Sequence, residues 1–175
     1  MRYCFAILLM LTSLNEMALA LDLPARKPGL WELTMSFGDR KIPAQVMRQC
    51  TDAASDKLMN SNFGGAAQQA CSQQNVTRSG GTITVDSVCT IAGATTTAHA
   101  VITGSFDSAY SMQVTSKRVG GPMLPGMEPN GESHMSIAAK WLGPCESGQR
   151  PGDVIMANGM KMNVLDLQKQ NPPGR

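Results

Sequence analysis

The sequence predicts a mainly β domain. It reads as an antiparallel meander forming a curled sheet or barrel-like body with one short helix, stapled by two disulfides; a two-sheet β-sandwich is the alternative. Three observations predict this. Four cysteines, Cys50, Cys71, Cys89 and Cys145, follow an N-terminal export signal, which places them in an oxidising compartment where cysteines pair. Short runs of alternating apolar and polar residues recur between Gly- and Pro-rich turns. Aromatics are scarce while Gly, Thr, Ser and Met are plentiful, a composition suited to short strands and tight turns.

Residues 1–20 have the three parts of a secretory signal: Arg2 as the positive start, an apolar run over 5–11, and the small-x-small site Ala18-Leu19-Ala20. The apolar run is far short of the roughly 20 residues that span a bilayer. Cleavage after Ala20 is expected, with the mature chain starting at Leu21 and Cys4 discarded. A soluble periplasmic or secreted product follows, with no transmembrane segment. The remaining chain of about 155 residues makes one domain, residues 21–168, with 169–175 as a flexible tail. A net charge of +2 is too small to argue for nucleic acid or an anionic membrane surface.

Trp31, Leu33, Met35 and Phe37 alternate with polar residues and predict a half-buried first strand. A turn over 38–43 leads to a second strand over 44–50, with Val46 and Met47 on opposite faces. Thr51 and Asp52 can cap a short helix over 53–59, followed by a loop over 60–70 centred on Gly64-Gly65. Extended runs over 71–78 and 82–89 flank the hairpin signal Ser79-Gly80-Gly81. Residues 96–103 and 110–116 form the next two strands. The stretch 118–131 is a Gly/Pro loop long enough to require a reason. A strand over 133–141 places Met135, Ile137, Ala139 and Trp141 on one face and His134, Ser136 and Lys140 on the other. Residues 154–167 read as a short hairpin turning at Asn158-Gly159.

Four cysteines allow three pairings. A turn centred on Gly80 places Cys71 opposite Cys89, each nine residues away, close enough to bridge. Cys50 then pairs with Cys145. The main rival is Cys50–Cys71 with Cys89–Cys145. The spacings of 21, 18 and 56 residues contain no C-x-x-C knuckle, which argues against a zinc or redox site.

A series of short motifs resembles a bacterial family of small exported proteins named as domain of unknown function 3617. The residues are Lys27-Pro28-Gly29-Leu30-Trp31-Glu32, Arg48-Gln49-Cys50-Thr51, Cys71, Ser79-Gly80-Gly81, Cys89, Ile102-Thr103-Gly104, Trp141-Leu142-Gly143-Pro144-Cys145, Pro151-Gly152-Asp153 and Asn158-Gly159-Met160. The resemblance implies export, disulfides and a mostly β domain. It implies no reaction, ligand or catalytic residue.

Four function classes follow. No G-x-S-x-G, H-E-x-x-H or P-loop pattern is present, and His99 and His134 are the only histidines, each on a strand amid Thr and Ser. No catalytic residue and no cofactor is therefore assigned. A non-catalytic binding or interaction module of the cell envelope, with an envelope protein as partner, is the leading expectation. A carrier of an apolar ligand or lipid is the second, with Met123, Leu124 and Met127 of the long loop as its lid. Thioethers suit Cu(I) or Ag(I); the loop pair Met123 and Met127 and the tail cluster Met156, Met160 and Met162 remain free for such a metal. Met35, Met112 and Met135 fall on apolar strand faces and read as core.

Overall fold

The computed structural model describes residues 23–38, 42–122 and 131–170. The export signal, part of the first turn, loop residues Met123, Leu124 and Met127, and the last five residues lie outside them. Among the described residues nine strands form one antiparallel sheet: β1 (Gly29–Phe37), β2 (Gln45–Thr51), β3 (Cys71–Ser79), β4 (Thr82–Ile91), β5 (Ala94–Ser105), β6 (Ala109–Gly120), β7 (Glu132–Gly143), β8 (Asp153–Met156) and β9 (Lys161–Asn163). Two helices also lie among the described residues, α1 (Ala53–Ala70) and α2 (Val164–Gln170).

The sheet order is β3-β4-β5-β6-β7-β1-β2-β8-β9. Strands β3 to β7 are a meander. The β1–β2 hairpin docks against β7, and the β8–β9 hairpin extends the sheet beyond β2. Both ends stay open, with β3 and β9 as edges, so neither a closed barrel nor a two-sheet sandwich forms. Alternation sets the inner face. Trp31, Leu33, Ile137 and Ala139 form the buried core, and Met35, Met47, Tyr110, Met112, Met135 and Trp141 pack against it. Burying a single large apolar side chain contributes about 1.5–3 kcal/mol, and Leu33 stands between Met47 and the small Ala139 in the sheet. Gly29, of the Lys27-Pro28-Gly29 motif, has φ 132°; a Cβ there would stand 2.3 Å from the Gly143 carbonyl oxygen.

The helix is longer than the sequence predicts: it continues through residues 60–70, read above as loop. Two glycines each cost a helix roughly 1 kcal/mol, but Ala66, Ala67, Gln68, Gln69 and Ala70 are good helix formers. The topology also demands reach. Strands β2 and β3 are six places apart in the sheet, a distance of about 29 Å at the usual strand spacing. Eighteen helical residues span about 27 Å. Helix α1 accordingly touches β2, β3, β4 and α2.

Its start is capped by Asp52, one of the two caps anticipated, through a reciprocal pair of bonds with Ser55. Asp52 Oδ1 accepts from the Ser55 backbone N–H at 2.8 Å, and Ser55 Oγ accepts from the Asp52 N–H at 2.9 Å. Two further corrections are local. Strand β6 runs on to Gly120, past the expected loop start at Arg118, because β5 begins at Ala94 and supplies ladder partners as far as Gly120. The turn at Asn158-Gly159 forms as read, but the chain beyond Asn163 is helical. The Asn163 side-chain oxygen accepts from the Leu165 and Asp166 N–H groups at 3.1 and 3.3 Å and caps α2.

The disulfides are Cys50–Cys145 and Cys71–Cys89, the favoured pairing, although the hairpin reaches it by another path. Ser79 pairs with Thr82, so the turn is centred between Gly80 and Gly81. In that register Cys89 would face Ser72. A bulge at Ser72, between Cys71 and Gln73, shifts the ladder by one residue and brings Cys71 opposite Cys89. No helix among the described residues is long and apolar enough to cross a membrane.

Three carboxyls are held below their usual range. Asp52 is lowered by its hydrogen bonds from Ser55. Burial pushes Asp153 up, but hydrogen bonds from Asn163, Lys161 and the Arg150 backbone outweigh it and lower it. Asp166 is lowered by Arg150. A carboxyl with a depressed folded pKa contributes stability that is complete above the unfolded value, about 4, and is lost as pH falls through the folded value. The melting temperature is therefore expected to fall as pH drops below about 4, and the penalty of Asp153→Asn measured at pH 7 should shrink toward pH 3. A melting temperature that rises on acidification would contradict this assignment.

Candidate functional site

The strands place the starts of β1, β4 and β6 at one end of the sheet, here the upper end, and the loop flanks Pro122 and Gly131 at the lower end. The upper end is built by residues 24–28. The Lys27 N–H donates to the Phe106 carbonyl at 2.8 Å, and the indole N–H groups of Trp31 and Trp141 donate to the carbonyls of Lys27 and Pro28. This lead-in carries Arg26 inward, where it is 6% exposed. Its Nε donates to Asp56 Oδ1 at 2.6 Å, its backbone N–H to Asp56 Oδ2 at 2.9 Å, and its guanidinium also to Gln49. The guanidinium carbon lies 5.9 Å from the centre of a Trp31 ring. Asp56, on the first turn of α1, is fully buried and has a further hydrogen bond from Asn60. The pair is a polar plug between the helix and the inner face.

Three aromatic rings lead outward from it. Trp31 packs on Tyr110, centroids 5.7 Å apart, and Tyr110 stacks on Phe106 at 4.7 Å. Burial pushes the Tyr110 hydroxyl up, with Arg26 opposing and Asp56 reinforcing the shift. Phe106 in turn walls an open cavity of about 360 Å³. The buried side chains Ile83 and Ile102 line it, along with Pro24, Gly104 and Arg78. Gly104, at φ 106°, lets β5 approach β6 closely: a Cβ there would meet the Ala109 carbonyl oxygen at 2.5 Å. The cavity is of a size that takes a small ligand, and its floor is apolar. A second, shallower groove of about 760 Å³ lies on the outer face, where Thr34, Ser111 and Ala138 sit between Glu32 and Lys140.

Of the candidates named from sequence, Met156 and Met160 lie at the other end of the sheet. Met123, Leu124 and Met127 lie outside the described residues, and their flanks emerge at the lower end. Met156 and Met160 face one another across the β8–β9 turn, the Met156 N–H donating to the Met160 carbonyl at 2.9 Å. Met160 is half exposed, and Met156 lies beside Met47 of β2. Both histidines stand exposed on the outer face. His99 Nδ1 lies 2.6 Å from Asp86, and His134 bridges Glu132 and Thr115. Among the described residues no three His, Cys, Asp or Glu side chains converge to hold a metal ion. Arg26, Asp56 and Phe106 were missed: each is an isolated residue in a lead-in, a helix start or a turn, with no periodic signal.

A family model described as protein of unknown function (DUF3617) matches residues 26–145. The chain belongs to the DUF3617 family. The match opens at Arg26, the cation of the polar plug, and closes at Cys145, the far half of the longer disulfide. Within this DUF3617 domain it includes the cavity wall from Arg78 to Phe106, while β8, β9 and α2 lie beyond it. Comparison with curated proteins and with solved structures gave no match.

Proposed function

We propose that the protein is an exported, non-catalytic binding module of the cell envelope, and that it takes a small apolar ligand into the upper mouth of its curled sheet. The cavity supports this reading. Ile83 and Ile102 are nearly inaccessible themselves yet border about 360 Å³ of open space, and water against such a floor is readily displaced by an apolar group. The two disulfides and the N-terminal signal support export, with the mature chain starting at Leu21 in the periplasm or outside the cell.

Native mass spectrometry of protein purified from its exported compartment tests this. A stoichiometric apolar adduct is expected, with the mass of two disulfides and a start at Leu21. Ile102→Trp, which fills the floor, and Pro24→Trp, which narrows the exposed wall, should each remove the adduct while the protein still melts cooperatively. An apo mass for the wild type, with no uptake of added apolar probe, would sink the reading.

A second reading, an interaction module, is favoured by the lower end. Ile42, Val46, Ile91, Val119 and Met160 are large apolar side chains that are all exposed there. That reading calls for one dominant crosslinked envelope protein in cells, lost when Ile91 and Val119 are both changed to Ser.

A further inference from the structure

We propose that Met47 and Met156 bind a soft monovalent cation, Cu(I) or Ag(I), between their thioether sulfurs on the inner face of the sheet, with Met35 and Met162 as flanking donors. The site is independent of the apolar-ligand reading. It lies near the β9 edge, whereas the cavity lies near the β3 edge.

Register carries it first. Met47 of β2 stands directly opposite Met156 of β8, and on its other side opposite Leu33 of the core, so both thioethers belong to the inner face. Directly opposed Cβ atoms are about 4.5–5.5 Å apart, a gap that two sulfurs can close around one ion. The pair is part of a longer series. Met112 lies one diagonal step from Met135, Met135 from Met35, Met35 from Met47, and Met156 from Met162. Six thioethers thus follow one another over six adjacent strands, β6-β7-β1-β2-β8-β9. Diagonal neighbours are within reach of long side chains.

Strand preference does not account for the series, because strands favour β-branched and aromatic residues. The closed core beside it is built from Trp31, Leu33, Ile137 and Ala139. The six methionines are all half-buried, which leaves them open to an ion from solvent. The Met47 sulfur is also positioned. Gln49 Nε2 donates to it at 3.5 Å, and Gln49 in turn accepts from Arg26 of the polar plug. A thioether has two lone pairs, so one stays free for a metal.

The chemistry selects the ion. Thioethers are soft donors suited to Cu(I), and Ag(I) is its redox-inert analogue. In an oxidising compartment thiols pair, and all four cysteines after the signal are in disulfides. Thioethers are the soft donors that remain. They carry no proton to be displaced, so their affinity for a metal is independent of pH, unlike that of histidine or carboxylate ligands.

The test titrates the full mature protein with Ag(I), and anaerobically with Cu(I) in ascorbate. Native mass spectrometry counts the ions, and carbon-13 NMR of the methionine methyl groups locates them. One ion per chain is expected, moving the Met47 and Met156 methyl resonances first. Affinity should stay constant from about pH 5 to about pH 8, where a histidine site would lose its ion. Zn(II) should move neither resonance. Changing Met47 and Met156 together to Leu should weaken binding at least about tenfold, the loss that removing even a supporting group of a metal ligand brings. Leu keeps the volume of Met, so the melting temperature should change little. If the ion moves only the resonances of Met123 and Met127, or only that of Met160, the site assigned here is wrong. If neither ion binds, or the double Leu variant binds as tightly as the wild type, the proposal is overturned.

Discussion

Replacing both Cys50 and Cys145 by alanine is expected to be the most destabilising paired substitution in this protein. The bridge closes a loop of 95 residues, against 18 for Cys71–Cys89. In the chain-entropy view, loops of those lengths restrict the unfolded chain by about 4.7 and about 3 kcal/mol. A small domain has only about 5–15 kcal/mol in total, so the loss is a large share of what holds it folded. The position of the bridge adds to the effect. Cys50 is buried beside Leu30, and Cys145 follows directly on β7, so the link clamps β1 and β2 against β7 in a sheet whose order departs from chain order at that point. The pairs β2–β8 and β8–β9 depend on that clamp. Urea titration of the two double-alanine variants measures this. The Cys50/Cys145 variant should show the larger drop in midpoint, with the transition broadening if β8, β9 and α2 detach first. An equal or smaller drop than in the Cys71/Cys89 variant would show that native contacts hold the β1–β7 seam without the bridge.

Arg26→Met should cost about 3–5 kcal/mol, far more than the removal of any exposed ion pair. The reason is the partner left behind. Asp56 is fully buried and would be left in an apolar setting without its cation, with the hydrogen bonds from the Arg26 backbone and Asn60 remaining. The Arg26 stem and guanidinium also cover Trp31. Combining Arg26→Met with Asp56→Leu removes both charges, and apolar replacement of a whole buried pair is often near neutral. The double variant is therefore expected to be more stable than Arg26→Met alone. A double-mutant cycle read by thermal and urea unfolding gives the coupling. Losses that simply add would mean that the pair does not act as a unit. By contrast, Arg150 and Asp166 pair at the surface, where solvent and salt screen such bridges, and Arg150→Ala should change stability little.

The difference between these two ion pairs marks where sequence reasoning stops. Alternation along β1, β6 and β7 was legible, because a pleated strand with one buried face must repeat with period two; Trp31, Leu33, Met112, Ile137 and Ala139 were assigned to the right face on that ground alone. The hairpin Ser79-Gly80-Gly81 and the cap at Asp52 were legible because a few adjacent residues determine them. The Cys71–Cys89 bridge was reached by counting from the turn, yet the count worked only because the bulge at Ser72 offset a turn centred half a residue later. Helix α1 was read as ending at Met59, with 60–70 as a loop around Gly64-Gly65, because local propensity knows nothing of the distance from β2 to β3. The cavity was invisible for a similar reason: Pro24, Arg78 and the Ile102–Phe106 stretch come from three separated segments.

What the sequence by itself determined is the set of local preferences: which residues extend, where the chain turns, and which side of each strand is apolar. Four spaced cysteines added the limit that the fold must be stapled. Only the tertiary structure decided that the β1–β2 hairpin sits between β7 and β8, that the sheet stays open, and that Arg26 meets Asp56 thirty residues away. The physical reason is range. Turn chemistry and pleat act over a few bonds and leave their mark in neighbouring residues. Strand order and buried charge pairing are chosen by the total area buried and by the need to compensate every desolvated charge, and those quantities exist only once the whole chain has packed.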